Sequence, residues 1–146
     1  MKEEASPGWG CGESAMRCAA DRQTVPPGGT LTLETEMICS SAGVLAGEGN
    51  GSLSVRPGQY LLSFTADAEA DQNVGAGLAL NGAPIAYAQC RLARGGEHAL
   101  CLHAILPVTG RGCLTVYNNT LDHVHYRNAV LTAVYLGECG PYRIRK

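Results

Sequence analysis

Residues 60–70 constrain the fold more than any other stretch of the chain. Tyr60, Leu62, Phe64, Ala66, Ala68 and Ala70 alternate with Ser63, Thr65, Asp67 and Glu69. Successive side chains of a strand point to opposite sides of a sheet, so a period of two demands an extended segment with one face in a core. Val74, Ala76, Leu78 and Leu80 repeat the pattern and stop at Asn81-Gly82. Both residues of that pair tolerate the positive φ of a type I′ turn, which makes it a hairpin signal. Residues 83–92 then pair back, leaving Arg91 and Arg94 at the exposed end.

The rest of the chain reads in the same way. Residues 30–36 alternate with Leu31 and Leu33 inward, and residues 52–55 open a strand that Pro57-Gly58 turns. Residues 98–108 form a long strand, Gly110-Arg111-Gly112 leads into residues 113–117, and residues 128–136 form the last strand. The glycine-rich stretch 43–51 is a flexible excursion with a brief strand near Val44-Leu45, and it lacks the Lys-Ser/Thr ending of a phosphate loop. No segment carries the 3.6-residue period of a helix. About ten short strands at regular spacing predict an all-β sandwich or barrel. The 146 residues suffice for one domain with a sizeable core. Its expected bounds are 21–139. Residues 1–20, which sustain no period, form a flexible or partner-docked segment, and residues 140–146 form a tail.

Composition narrows the function classes. Charged residues make up 16% of the chain and the net charge is −2, without the clustered Lys and Arg of a nucleic-acid surface. No apolar run approaches the length of a membrane span, so membrane insertion is not expected. Met-Lys-Glu-Glu lacks the basic-then-apolar layout of a signal peptide. Seven cysteines leave at least one unpaired within the chain, and the absence of Cys-x-x-Cys argues against a zinc ribbon or a thioredoxin-like motif. Cys90, Cys101 and Cys113 fall in strand patterns and read as small buried hydrophobes. Cys11 and Cys18, in a polar segment, are the better candidates for cross-linking.

Two strands are apolar on both faces. In the first, Leu100, Leu102 and Leu106 oppose Ala99, Cys101 and Ile105. In the second, Val130, Val134 and Leu136 oppose Leu131, Ala133 and Tyr135. A strand of an antiparallel sheet packed once is polar on its outer face. Strands apolar on both faces need a second cover, and another copy of the chain is the economical one.

Four runs then carry a resemblance: Pro-Gly-Gln-Tyr at 57–60, Leu-Ala-Leu-Asn-Gly-Ala-Pro-Ile at 78–85, Leu-Thr-Val-Tyr-Asn-Asn at 114–119, and Asn-Ala-Val-Leu-Thr at 128–132 with Gly137 beyond. Over roughly residues 23–137 the chain resembles the tumour-necrosis-factor-like jelly roll. More narrowly, it is similar to the bacterial C-terminal heads of collagen-stalked exosporium glycoproteins, relatives of the complement globular heads. The Gly-X-Y stalk of those glycoproteins is absent from this sequence. The resemblance implies a two-sheet antiparallel sandwich of about ten strands, assembled as a compact homotrimer with the first, third and last long strands along the threefold axis. The contact residues it implies are Leu61, Ser63, Cys101, His103, Ile105, Leu131, Ala133 and Tyr135. It also implies a non-enzymatic structural or surface-display module without cofactor, on a spore or cell surface, whose partners are itself and other surface-layer proteins or glycans.

A second reading is a lectin-like or receptor-binding trimer, using loops that carry Arg91, Arg94, Asn119 and His123. A third is a cupin-like metal enzyme, which requires histidines inside the barrel. His123 and His125 share one side of an extended segment at a spacing that can grip a transition metal. Asp67, Glu69 and Asp71 offer oxygen ligands of the kind calcium takes, though such a run is ordinarily a solvated edge. Cys101 and His103 lie two apart on one strand, a spacing expected to keep them from bonding distance.

Overall fold

The computed structural model describes residues 13–39, 45–47 and 51–138. Among these lie eleven strands: β1 (Ser14–Ala19), β2 (Gln23–Val25), β3 (Thr35–Cys39), β4 (Leu45–Gly47), β5 (Leu53–Val55), β6 (Gly58–Ala70), β7 (Val74–Leu80), β8 (Ala83–Leu92), β9 (Gly96–Val108), β10 (Gly112–Tyr117) and β11 (Val124–Gly137). They form two antiparallel sheets. One has six strands in the order β3-β1-β11-β6-β9, with β2 also paired to β11; the other runs β4-β5-β10-β7-β8. The long strands β11, β6 and β9 are therefore neighbours in one sheet. The Asn81-Gly82 turn joins β7 to β8 as expected, with both residues at positive φ.

The core follows the alternation. Tyr60, Leu62 and Phe64 of β6 are wholly buried, as are Leu78 and Leu114 from the facing sheet, and Leu100, Leu102 and Leu106 of β9 join them. Tyr126 ties the two layers together, because its buried hydroxyl donates to the Gly75 carbonyl of β7. Burial pushes that phenol well above its ordinary pKa. The unfolded phenol ionises near pH 10 while the folded one stays protonated. Its contribution is thus complete below about pH 10 and is lost as pH rises beyond it. Urea midpoints of the wild type should fall from about pH 10 upward, more steeply than those of Tyr126→Phe. Equal slopes for the two proteins would contradict this.

Several expectations need correction. Residues 14–19 are a strand within the six-stranded sheet, paired to β11 on one side and β3 on the other. Its inward row is Ala15, Arg17 and Ala19, and the arginine hides the apolar period. That arginine is only 4% exposed and bonds to the Leu33 and Ser52 carbonyls and the Glu36 carboxylate. Residues 30–36 are not one strand. Thr30 makes a single bridge to Tyr117, and regular pairing starts only at Thr35. Leu31 and Leu33 are buried all the same. The Gln23 side chain substitutes for the missing strand partner, donating to Thr32 O and accepting from Thr32 N, each at 2.9 Å.

The outer surface of β7 is covered from within the subunit. Gly75 and Gly77 are buried, because the side chains of Asn119 and Gln89 lie over them where a Cβ would otherwise sit. Residues 1–12, 40–44, 48–50 and 139–146 lie outside the described residues, and with them Cys11, Val44 and the expected C-terminal tail.

Candidate interaction face and loop end

The register of the six-stranded sheet assembles its outer surface row by row. Leu61 of β6 pairs with Ile105 of β9 and Val134 of β11; Ser63 pairs with His103 and Thr132; Thr65 pairs with Cys101 and Val130. The rows continue onto β1, where Ser14, Met16 and Cys18 stand beside Val134, Thr132 and Val130, and Met16 meets Met37 of β3. The result is an apolar belt facing water, with Leu61 41%, Leu136 49%, Ile105 54% and Met37 64% exposed. A hollow of about 310 Å³ lies between β1 and β3, lined by residues including Met16, Met37 and Ile38. Beyond the belt the same surface turns charged. Asp67 accepts from Asn128, and Arg127 pairs with Glu97 at 3.0 Å.

Of the expected contact residues, Leu61, Ser63, Cys101, His103 and Ile105 lie on this outer surface. Leu131 and Ala133 do not. Both are fully buried within the subunit, and the outward row of β11 is Val130, Thr132, Val134 and Leu136. Tyr135 is turned inward too, its ring tilted against that of Tyr60 with centroids 5.4 Å apart, over the space left by Gly58. The cause is a bulge between Arg127 and Val130, where Asn128 takes φ 55°. Extra residues on one strand reverse which side chains face the core.

Cys101 and His103 also depart from expectation. Both are exposed, and Cys101 Sγ stands 3.4 Å from His103 Nε2. Cys101 is therefore no buried hydrophobe, and His103 points away from the sandwich interior, which removes the inward histidine of the cupin-like reading. Cys90 and Cys113 are half-buried, the latter donating to Ser52 Oγ at 3.2 Å. Cys18, Cys90, Cys101 and Cys113 are free thiols.

A second feature is one end of the sandwich, where three loops meet. Asp122 Oδ2 accepts from the backbone N–H groups of Gln72 and Asn73 at 2.9 and 2.7 Å, stapling the β10–β11 loop to the β6–β7 loop. Gly95, in the β8–β9 loop, packs so closely on the Asp71 carbonyl that a Cβ there would sit 1.9 Å from it. Asn118 fixes the base from a fully buried position, donating to Val25 O and Asp122 O and accepting from Thr120. Arg91 and Arg94 project from this end, exposed, as does His123. Asn119 does not: its amide donates to Ala76 O and Gln89 Oε1, so it holds the loop onto the sheet.

His123 and His125 line a cavity of about 240 Å³ with Asp71, Leu121 and Asp122. His125 Nδ1 is engaged by Thr24 Oγ1 at 2.7 Å, and Asp122 is committed to its staple. Among the described residues no three His, Cys, Asp or Glu side chains converge to hold a metal, so neither the histidine pair nor the Asp67, Glu69 and Asp71 run gains a ligand set.

No protein-family model matches the chain, and the curated proteins give no significant match. Solved structures do match. The Eiger TNF of S. frugiperda has a TM-score of 0.69 at 13% identity, covering 91% of this chain and 98% of that one. Murine APRIL has a TM-score of 0.65 at 11% identity, covering 85% and 98%. The globular domain of zebrafish complement 1qA protein has a TM-score of 0.58 at 12% identity, covering 87% and 98%. The fold is thus the jelly roll of tumour-necrosis-factor-like proteins and complement globular heads.

Proposed function

We propose that this chain is a non-enzymatic homotrimeric head that self-associates through the outer surface of its six-stranded sheet and presents its loop end to partners. The carrying observation is the apolar belt. The subunit already has a closed core, yet Ile105 is 54% and Leu61 41% exposed in adjacent positions on the long strands. Covering such surface yields about 25 cal/mol per Å² of apolar area. Exposed apolar side chains gathered on one sheet face favour association through it. The hollow at Met16 and Met37 offers a seat for a side chain projecting from a neighbouring copy.

Thiol labelling tests the reading. In the assembled protein Cys101 should resist a water-soluble alkylating reagent and become reactive once the assembly is dissociated, as read by peptide mass mapping. Cys101 labelling at the rate of a free surface thiol under both conditions would contradict it.

The role of such a head is display on a spore or cell envelope, supported by the likeness of the turn pattern to exosporium heads. A lectin-like or receptor-binding role is favoured by the stapled loop end, where Arg91 and Arg94 stand free on a rigid base. Ligands of that end would be anionic, surface-layer proteins or glycans among them. Binding lost in Arg91→Ala and Arg94→Ala variants supports recognition there; binding indifferent to both argues for display alone.

A further inference from the structure

Three copies closed by a threefold axis meet head to tail, so each contact joins two different patches of the subunit. The belt supplies one patch, and the other has to lie elsewhere on the chain. We propose that it is the free edge of β8, and that Tyr87 of one copy seats in the Met16–Met37 hollow of the next. The inference rests on the reading of the apolar belt as an association face.

Tyr87 stands out first by exposure. Outside the belt, the large exposed apolar side chains among the described residues are Tyr87, Leu92 and Leu121. Leu121 belongs to the β10–β11 loop and Leu92 closes β8 at that same loop end. Tyr87 is 59% exposed in the middle of β8, the last strand of its sheet. Its backbone is also irregular. Between the Gly77–Gln89 and Ala79–Pro84 pairs, Leu78 alone stands opposite residues 85–88. Such a bulge re-aims side chains, and here Ile85 and Ala88 stay buried while Tyr87 is turned out. Gln89 locks the bulge: its amide donates to Ile85 O at 2.9 Å and accepts from the Tyr117 hydroxyl at 3.0 Å and Asn119 Nδ2 at 2.9 Å. A bulge by itself blunts a free edge against strand pairing, but blunting needs no aromatic ring. A ring held out on a fixed backbone is the kind of anchor that fills a pocket at an interface.

The hollow lies where a head-to-tail ring needs it. β8 packs on β9 at one side of the sandwich, whereas β3 and β4 pack together at the other. Tyr87 and the space between β1 and β3 are therefore at opposite edges and meet only between copies. Met16, Met37 and Ile38 line the hollow of about 310 Å³, and methionine sulfur beside an aromatic ring is a favourable contact. Ser14 and Thr132, which also line it, offer hydroxyls to the phenol. Both partners stand away from the end where the three loops meet, so the contact leaves that end open.

Photo-crosslinking of the full chain tests the seat. With p-benzoylphenylalanine placed at position 87, irradiation should join that residue to Met16 or Met37 of another copy, as mapped on crosslinked peptides from mixed light and heavy-nitrogen chains. Tyr87→Ala should weaken association by at least about tenfold, since truncating a seated aromatic anchor costs that much or more. The urea midpoint of its dissociated subunit should match the wild type, because an exposed side chain adds little to the fold. Combined with Met37→Ala, the loss should be smaller than the product of the two single losses, as for residues in contact. Sedimentation of the wild type keeps the two readings apart. A wild type that assembles while the crosslink maps elsewhere, or while Tyr87→Ala associates normally, overturns the seat alone. Independent losses in the double variant overturn the contact with Met37. A wild type that never assembles overturns both the seat and the association face.

Discussion

Ile105→Glu is expected to give a folded monomer. Ile105 is 54% exposed on the free subunit, so a carboxylate there stays hydrated and subunit stability should change by no more than about 0.5 kcal/mol. In the assembly the same position would lie among Leu61, Val134 and their counterparts from other copies. An unpaired charge buried in apolar surroundings costs several kcal/mol, and about 1.4 kcal/mol is tenfold in affinity. Repeated in every copy, that cost exceeds what an interface of ordinary size can absorb. Sedimentation velocity should show one slow species, while urea unfolding should match the dissociated wild type. A variant that assembles like the wild type would remove β9 from the interface.

Arg17→Met should strongly destabilise the subunit. The guanidinium is buried between β1 and the irregular segment 31–34, donating to Leu33 O at 2.8 Å, Ser52 O at 3.4 Å and Glu36 Oε1 at 2.8 Å. Methionine keeps much of the apolar stem but takes the donor from the buried Leu33 carbonyl, at about 1–3 kcal/mol, and removes the bond to Ser52 O. Glu36, with its side chain 47% exposed, recovers water and adds little. The expected loss is about 2–4 kcal/mol, a large share of the about 5–15 kcal/mol available to a domain. A urea midpoint close to that of the wild type would show that the segment is held by Leu31 and Leu33 packing alone.

These two sites differ in how far the sequence alone exposes them. β6 was legible because its alternation is unbroken from Tyr60 to Ala70 and its core face is apolar throughout. The hairpin at Asn81-Gly82 was legible because its turn chemistry is local. β1 was not, since its inner row carries Arg17, whose partners lie 16 to 35 positions away. The direction of β11 was beyond reach for a related reason. A strand apolar on both faces does not say which face is inward, and the bulge at Asn128 reverses the answer partway along. Register to β6 decides it, and register is a property of two strands.

The loop end follows the same logic. Arg91 and Arg94 could be read as exposed from their place after a strand. Asn119 read like a loop residue of the same kind, but its partners Ala76 and Gln89 lie 43 and 30 positions away. The glycines at 75 and 77 were the available signal: a buried strand that leaves room on one face invites a side chain from elsewhere to fill it.

The most direct test of the central claim is the mass of the native protein by sedimentation equilibrium at micromolar concentration and moderate salt. The proposed homotrimer, closed through the face formed by β6, β9 and β11, predicts a single species of three times the 15.3 kDa of one chain. A monomer at that concentration, with Leu61 and Ile105 left in water, would contradict the account at its root.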